Sequence, residues 1–298
     1  MKAIIFPGQG SQYIGMGQSL YDNFPKAKVI FSSIDDILGF KLSEKCFRGP
    51  ESELKDTAVQ QLAILAVSLA AFEVILDKGF HCDYLSGLSL GEYSCLYAAE
   101  VLSLEKTVLL VKKRAQSMQE AALLSQATMF AVIGLERKTL EAEAAIQGFY
   151  LANINSPQQV VISLAQAKKE NIRKALEAKG AKIIELAVSG GFHSPFMDPA
   201  KKAMEEVIKN LNFSEAKKPM VSNVTARAHI KPQEIKDNLL KQLNSTVLWS
   251  DCVGFMIKQG VDEFFEVGPG KVLKGLMHKI NPQAKVVNIE KKEDAEQL

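Results

Sequence analysis

The chain has 298 residues, of which 47% are hydrophobic and 23% are charged, as in an ordinary globular protein with one large domain or two medium ones. Its formal net charge of +2 argues against a nucleic-acid binder that depends on bulk positive charge, so we expect no nucleic-acid partner.

Strand and helix patterns alternate from the N-terminus. The apolar stretch within residues 1–7 (MKAIIFP) is too short for a signal peptide. It predicts a first strand over 3–6. The longest apolar run, 62–72, is about half of what a membrane span requires. It therefore predicts a buried helix over 60–77, and we expect no membrane partner. A short strand at 84–86 and helices at 90–100 and 104–122 follow.

The middle of the chain has the order β-α-β-β-α-β. Its predicted strands are 129–135, 150–154, 159–164 and 182–188, and its predicted helices are 138–147 and 168–179. This order is that of the ferredoxin-like split βαβ unit. We therefore predict that residues 127–191 form a small ferredoxin-like subdomain, inserted into a larger domain made of residues 1–126 and 192–298. A cleft between two such units is a usual place for a substrate.

The C-terminal part predicts a strand at 261–267, a Gly-Pro-Gly loop and a helix at 271–280. The charged residues 291–298 are expected to fray. The alternation predicts an α/β fold, with a larger α/β-hydrolase-like domain built on a parallel sheet beside the small subdomain. The four cysteines form no CxxC pair, which favours reduced thiols in a cytoplasmic protein and no metal site.

The candidate nucleophile is Ser89, at the centre of GLSLG (residues 87–91). GxSxG between a strand and a helix is the nucleophile-elbow pattern, in which the serine occupies a tight turn and glycines leave room around it. The turn also places Ser89 at a helix N-terminus, so the N–H of Leu90 is expected to donate into an oxyanion hole. A chance match in a turn of small residues is the alternative.

Serine needs a base to remove its proton, and histidine is suited to this. Of the four histidines, His81 and His229 are predicted in loops and His278 on the polar face of a helix. His193 lies in the loop GGFHSP after a predicted strand, where open sheets usually carry catalytic side chains. We therefore predict His193 as the base. No acidic third member is evident, because Asp198 is expected to cap a helix.

The loop PGQGSQ (residues 7–12) follows the first strand. A dinucleotide-binding loop requires a third glycine at position 13, where Tyr13 stands. Glycines at a strand end also let the backbone approach a reacting centre. The N–H of Gln9 is therefore a candidate for the second oxyanion donor.

These motifs resemble, nearly end to end, those of the malonyl-CoA:acyl carrier protein transacylases of fatty-acid synthesis. The matching segments are FPGQGSQ at 6–12, GLSLGE at 87–92, Arg114, NSP at 155–157, FHS at 192–194, VSNVT at 221–225 and EVGPGKVL at 266–273. So many motifs in the same order make the resemblance specific.

The resemblance implies a ping-pong mechanism with a Ser89–His193 dyad. Ser89 attacks malonyl-CoA, the N–H groups of Gln9 and Leu90 hold the oxyanion, and the phosphopantetheine thiol of holo acyl carrier protein takes the malonyl group. It also implies that the main-chain carbonyl of Gln242 orients His193. No cofactor of the enzyme's own is implied, and we expect a monomer.

Substrate recognition is implied as well. Arg114 matches the arginine that binds the malonyl carboxylate, for which a planar guanidinium is well suited. Phe192 resembles the malonyl-selective form of its motif, since its bulk disfavours methylmalonyl, and Asn155 is expected at the substrate. The chain departs from the family at Leu88, where the family usually has histidine.

Two alternatives remain from the sequence. An esterase or thioesterase would use Ser89 and His193 with water as the acceptor, which would leave Arg114 without a purpose. A carrier-binding subunit without activity would not need Ser89, His193 and Arg114 intact. Malonyl transfer is therefore the favoured function.

Overall fold

The computed structural model describes residues 1–188 and 190–298 and contains a six-stranded and a four-stranded sheet. The strands are β1 Lys2–Phe6, β2 Tyr84–Gly87, β3 Ala127–Ile133, β4 Tyr150–Ser156, β5 Gln159–Ala165, β6 Lys182–Glu185, β7 Met220–Val221, β8 Ala228–His229, β9 Glu263–Val267 and β10 Lys285–Ile289. The helices before the small sheet are α1 Gln18–Asn23, α2 Pro25–Leu38, α3 Leu42–Arg48, α4 Glu51–Leu54, α5 Thr57–Asp77, α6 Gly91–Ala98 and α7 Leu104–Ser125. Those from the small sheet onward are α8 Arg137–Gln147, α9 Lys169–Glu177, α10 Asp198–Asn210, α11 Pro232–Gln242, α12 Trp249–Lys258, α13 Val272–Ile280 and α14 Lys292–Glu296.

The larger sheet has the order β10-β9-β1-β2-β7-β8, with every pair parallel except β7 and β8. Its central strand β1 is apolar and buried from Ala3 to Phe6, as expected of a parallel strand covered on both faces. In the register of β1 with β2, Phe6 lies opposite Gly87. The loops that follow these two strands, around Gln9 and Ser89, therefore meet at one edge of the sheet.

The apolar run of the sequence lies in α5, which has a mean hydropathy of 2.0. Within the described part of the chain it is the one helix whose length and hydropathy match a membrane span, yet 83% of its apolar window is buried inside the fold. Asp56 caps its N-terminus by accepting the N–H of Ala58 at 2.8 Å. The helix thus serves as the core element that the sequence predicted.

The smaller sheet is antiparallel and has the order β4-β5-β3-β6. Numbered within the unit this is 2-3-1-4, the strand order of a ferredoxin-like βαββαβ unit. It has an apolar cluster of its own, which includes Phe130, Leu140 and Leu176. The predicted α/β fold with a small ferredoxin-like subdomain is confirmed. The domain boundaries stay a prediction, and Ser189 lies outside the described residues.

Two local predictions are wrong. His229, which the sequence predicts in a loop over residues 226–232, lies in the short strand β8, where it pairs with Met220 of β7. Residues 291–298 were expected to fray but contain α14. Asp294 stabilises the start of that helix by accepting the N–H of Lys291 at 2.9 Å, and the side chain of Ala295 is fully buried.

Candidate active site

The turn that carries Ser89 requires both glycines of the GxSxG motif. Strand β2 ends at Gly87 and α6 begins at Gly91, so Ser89 sits in the turn with a positive φ of 52°. A Cβ on Gly87 would lie 2.0 Å from the carbonyl carbon of Gly91, and a Cβ on Gly91 would lie 2.1 Å from the oxygen of Phe6. The turn that holds the partly buried Ser89 at a positive φ therefore depends on two glycines, since a side chain at either position would clash with the backbone.

The structure brings Ser89 and His193 together across 104 residues of sequence, with Ser89 Oγ 2.7 Å from His193 Nε2. The other ring nitrogen, Nδ1, is 2.8 Å from the main-chain oxygen of Gln242. A carbonyl oxygen can only accept, so Nδ1 carries the proton and Nε2 is free to accept the hydroxyl proton of Ser89. Gln242 occupies the place that an acidic residue has in a hydrolase triad.

Asp198 does not contribute to this arrangement. It is the first residue of α10 and accepts a hydrogen bond from Asn244 Nδ2 at 2.7 Å on the exposed surface. Its predicted role as a helix cap is wrong as well, because the residue at the N-cap position is Met197. The site thus contains a pair, serine and histidine, rather than a triad.

The surroundings of His193 keep its ring neutral. Burial, and to a smaller extent the nearby guanidinium of Arg114, lower the pKa of His193 to about 4, and the hydrogen bond to Gln242 opposes both effects. A neutral imidazole is the form that can act as a general base. His193 therefore remains competent at neutral pH.

Arg114 is not a solvated surface residue but the second-largest fully buried side chain of the described residues, at 1% exposure. It extends from α7. Its Nη1 donates to Gln61 Oε1 at 2.6 Å, and its Nη2 donates to Ser89 Oγ at 3.0 Å and to Gln242 Oε1 at 3.1 Å. The guanidinium also stacks 4.7 Å from the ring centroid of Tyr93. A cation is thus held directly beside the candidate nucleophile.

Three residues around Ser89 were not predicted from the sequence. Asn223 ties the turn together, since its Oδ1 accepts the N–H of Ser89 at 2.7 Å and its Nδ2 donates to the oxygen of Gly87 at 2.8 Å. Glu92 accepts from the N–H of Asn223 at 3.0 Å and from Gln242 Nε2 at 2.8 Å. Burial raises the pKa of Glu92.

The third unpredicted residue is Gln61, which is fully buried on α5 and accepts from Arg114. Asn223 and Glu92 belong to motifs quoted from the sequence, but Gln61 lies in an apolar helical run with only its polarity as a signal. A buried amide in such a run needs a partner, which is the one indication that a sequence offers.

The predicted oxyanion donors lie on both sides of Ser89. Leu90 follows it directly at the N-cap of α6, and Gln9 lines the same cleft as Ser89 and His193. The two loops approach closely, because a Cβ on Gly8 would lie 2.3 Å from the oxygen of Leu88. Within residues 1–188 and 190–298, the main-chain N–H groups of Gln9 and Leu90 donate to no other residue. They are available to a ligand.

The cleft has a volume of about 270 Å³ and lies between the two sheets. The small sheet contributes Asn155, whose Oδ1 is buried and has no partner among the described residues, and Phe192 follows that unit with 5% exposure. Leu88 also lines the cleft. It packs in the apolar cluster that contains Ile5 and Trp249, so the departure from histidine makes this wall apolar.

The chain matches a known protein family over nearly its whole length. The family model described as acyl transferase domain matches residues 3–292. The chain is similar to a malonyl CoA-acyl carrier protein transacylase of Bacillus subtilis (strain 168), at 39% identity over 99% of this chain and 95% of that protein. It is similar to the protein of the same name from Staphylococcus aureus (strain MRSA252), at 40% identity over 98% of this chain and 96% of the other.

Solved structures are similar over the same length. The acyl-carrier-protein-S-malonyltransferase of Bartonella henselae superposes with a TM-score of 0.96 at 36% identity, covering 99% of this chain and 97% of that one. A malonyl-transacylase solved in complex with its type II PKS acyl-carrier protein superposes with a TM-score of 0.95 at 34% identity, covering 99% and 98%.

Proposed function

The chain belongs to the acyl transferase domain family, and we propose that it is a malonyl-CoA:acyl carrier protein transacylase with Ser89 as its nucleophile. It moves a malonyl group from malonyl-CoA to the phosphopantetheine thiol of acyl carrier protein and so supplies fatty-acid chain elongation. The observation that carries the residue assignment is that Ser89 Oγ lies 2.7 Å from His193 Nε2 and 3.0 Å from the buried Arg114 Nη2.

In the first half-reaction, Ser89 Oγ attacks the thioester carbon of malonyl-CoA while His193 Nε2 accepts the hydroxyl proton. The carbonyl oxygen becomes an oxyanion, which the N–H groups of Gln9 and Leu90 stabilise. The tetrahedral intermediate collapses to a malonyl-serine ester. His193 then returns its proton to the sulfur of coenzyme A, which leaves as a thiol.

The second half-reaction repeats these steps with a different thiol. His193 Nε2 accepts the proton of the phosphopantetheine thiol, whose sulfur attacks the ester carbon of malonyl-Ser89. The same two N–H groups hold the oxyanion, and His193 protonates Ser89 Oγ as it leaves. Because the main-chain oxygen of Gln242 holds Nδ1–H, the ring keeps one tautomer and one orientation through both halves.

Arg114 selects the malonyl group. Its guanidinium pairs with the carboxylate, which otherwise enters a mainly apolar cleft without a counter-ion. To do so, Nη2 exchanges its hydrogen bond to Ser89 Oγ for one to the carboxylate, while Nη1 stays oriented by Gln61. Once the substrate is bound, Ser89 Oγ no longer accepts a hydrogen bond from Arg114 Nη2, and the loss of this bond makes the oxygen more nucleophilic.

Phe192 and Asn155 complete the cleft. The bulk of Phe192, directly before His193, disfavours a branched methylmalonyl group. The unpartnered Oδ1 of Asn155 is an acceptor for an N–H of the substrate, since a buried acceptor without a partner is costly. Glu92 and Asn223 do not touch the substrate. Glu92 holds Gln242 in place, and Asn223 holds the Ser89 turn.

We place the reaction in the cytoplasm. All four cysteines are free and buried, and disulfides are rare in that compartment. The acyl carrier protein is the partner, in line with the complex that one structural relative forms with such a protein. The enzyme needs no cofactor of its own, because the phosphopantetheine thiol comes with the partner.

A transfer assay with holo acyl carrier protein tests this function. The acyl donors are malonyl-, methylmalonyl- and acetyl-CoA, and release of free acid is followed in parallel. We expect malonyl transfer to exceed the other two and to exceed hydrolysis. Malonyl-CoA hydrolysis that is as fast without carrier protein as transfer is with it would instead identify a thioesterase.

A further inference from the structure

A second cavity lies at the far end of α6 from Ser89 and takes no part in the reaction above. The helix begins at Gly91, beside the nucleophile, and its last residue, Ala98, lines this cavity. The other walls come from β1, the end of α5, and residues 80–82, 100–103 and 217–218. The volume is about 550 Å³, which is larger than the cleft at Ser89 and within the range of small-molecule sites. We name it the α6 cavity.

The walls of the α6 cavity are mostly apolar. Ile4, Phe72 and Leu102 are buried, with 1%, 8% and 4% exposure, and Phe80 contributes a ring. Leu76 belongs to the same wall and is 43% exposed, so the apolar lining reaches the protein surface. Such a lining favours an apolar chain that enters from solvent.

Two adjacent cations, Lys217 and Lys218, also line the α6 cavity. The main-chain N–H of Lys217 donates to the oxygen of Ala99 at 2.9 Å, which fixes this segment beside the end of α6. Neither ammonium takes part in an ion pair of the described chain. Burial raises the pKa of the Cys82 thiol in the same wall to about 11, and the charge of Lys218 opposes that rise, so the charge acts within the cavity.

The acidic residues of the α6 cavity, Glu73 and Glu100, form no ion pair with these lysines within the described residues. Glu73 accepts the hydroxyl of Tyr97 at 2.8 Å, which directs its carboxylate to that partner. Glu100 is exposed to solvent, as is Lys217, whereas Lys218 is partly buried. An apolar chamber with two unpaired ammonium groups matches an amphiphile that has one anionic end.

We propose that the α6 cavity binds carboxylates that carry an unbranched apolar chain, with the chain against Phe72 and Leu102 and the carboxylate at Lys217 and Lys218. The apolar wall and the two lysines each contribute to binding, so a ligand that lacks either the charge or the apolar chain binds more weakly. The site is separate from the Ser89 cleft, and a ligand there does not compete with malonyl-CoA.

Isothermal titration of decanoate into the full chain tests this proposal. The Ser89→Ala variant is used, so that no acyl chemistry interferes. We expect saturable binding of decanoate and binding about tenfold weaker or worse for 1-decanol, which lacks the charge, and for acetate, which lacks the chain. Lys217→Glu/Lys218→Glu should weaken decanoate binding by at least about tenfold, and Lys258→Glu on the exposed surface should not.

Ala98→Trp is a second variant, designed to fill the α6 cavity without touching the lysines. It should abolish decanoate binding, and with Ser89 restored it should keep malonyl transfer, which shows that the chain is folded. If Ala98→Trp does not fold, the lysine double variant still decides the matter. Absence of saturable binding, binding unchanged in the lysine variant, or displacement of decanoate by malonyl-CoA would each overturn the proposal.

Discussion

The main-chain oxygen of Gln242 lies 2.8 Å from Nδ1 of His193, where a hydrolase triad has a carboxylate. A neutral carbonyl orients the ring without adding a negative charge. Burial and, second to it, the guanidinium of Arg114 lower the pKa of His193 to about 4, and no anion next to the ring compensates. In the proposed mechanism, Gln242 thus orients the base, and the charge of Arg114 remains available to the malonyl carboxylate.

Replacing Arg114 should change the rates of malonyl transfer and acetyl transfer differently. Arg114→Ala removes the only charge that we assign to the malonyl carboxylate, so malonyl transfer should fall by about 100-fold, equivalent to one or two charge-assisted hydrogen bonds. Acetyl transfer should be kept or raised. Steady-state kcat/KM with both donors measures this, and Arg137→Ala, at an exposed ion pair with Glu141, is the control. Equal loss of both activities would show that Arg114 has a structural role only.

The pH profile reports the charge of His193. Only the neutral ring accepts a proton, so kcat/KM should stay level on the acid side until the pH falls towards about 4. Arg114 lowers this pKa, so in Arg114→Ala the pKa rises and the acid limb should begin at a higher pH. Acetyl transfer is the reaction to follow, because it does not need Arg114. An acid limb at the same pH in both proteins would contradict the assigned coupling.

Asn223 should matter for both stability and rate. Asn223→Ala leaves the N–H of Ser89 and the oxygen of Gly87 without their partners, at a cost of about 1–3 kcal/mol each. We expect a lower free energy of unfolding in urea and a lower kcat with little change in KM. Asn23→Ala, which removes one exposed bond to Ser19, is the matched control and should change neither. A normal kcat in Asn223→Ala would show that the Ser89 turn does not depend on it.

Much of the fold followed from patterns in the sequence. The alternation of elements predicted the α/β architecture, and the β-α-β-β-α-β order predicted the strand order of the small sheet, because right-handed crossovers leave few alternatives. GLSLG predicted the position of Ser89, because the tight turn around the serine requires glycine on both sides and this pattern is visible in the sequence. His193 was selected by elimination and by its shaped loop.

The remaining parts of the site depend on contacts between distant segments. Gln242 O reaches His193 from the end of α11, and Asn223 reaches Ser89 from the loop after β7. Neither a main-chain carbonyl nor a lone asparagine has a local signature, so only the family resemblance indicated Gln242. The burial of Arg114 could not be predicted from the sequence either, because it results from packing between α5, α7 and α11.

Mass spectrometry of the acyl-enzyme is the most direct test of the malonyl-Ser89 intermediate. The protein is mixed with malonyl-CoA without carrier protein, quenched in acid and digested. The predicted result is one malonyl group on the peptide that contains Ser89, lost when holo acyl carrier protein is added before the quench, and no acid-stable label in Ser89→Ala. Acid-stable malonyl on the Ser89→Ala protein, or label on another peptide of the wild-type chain, would contradict the assignment.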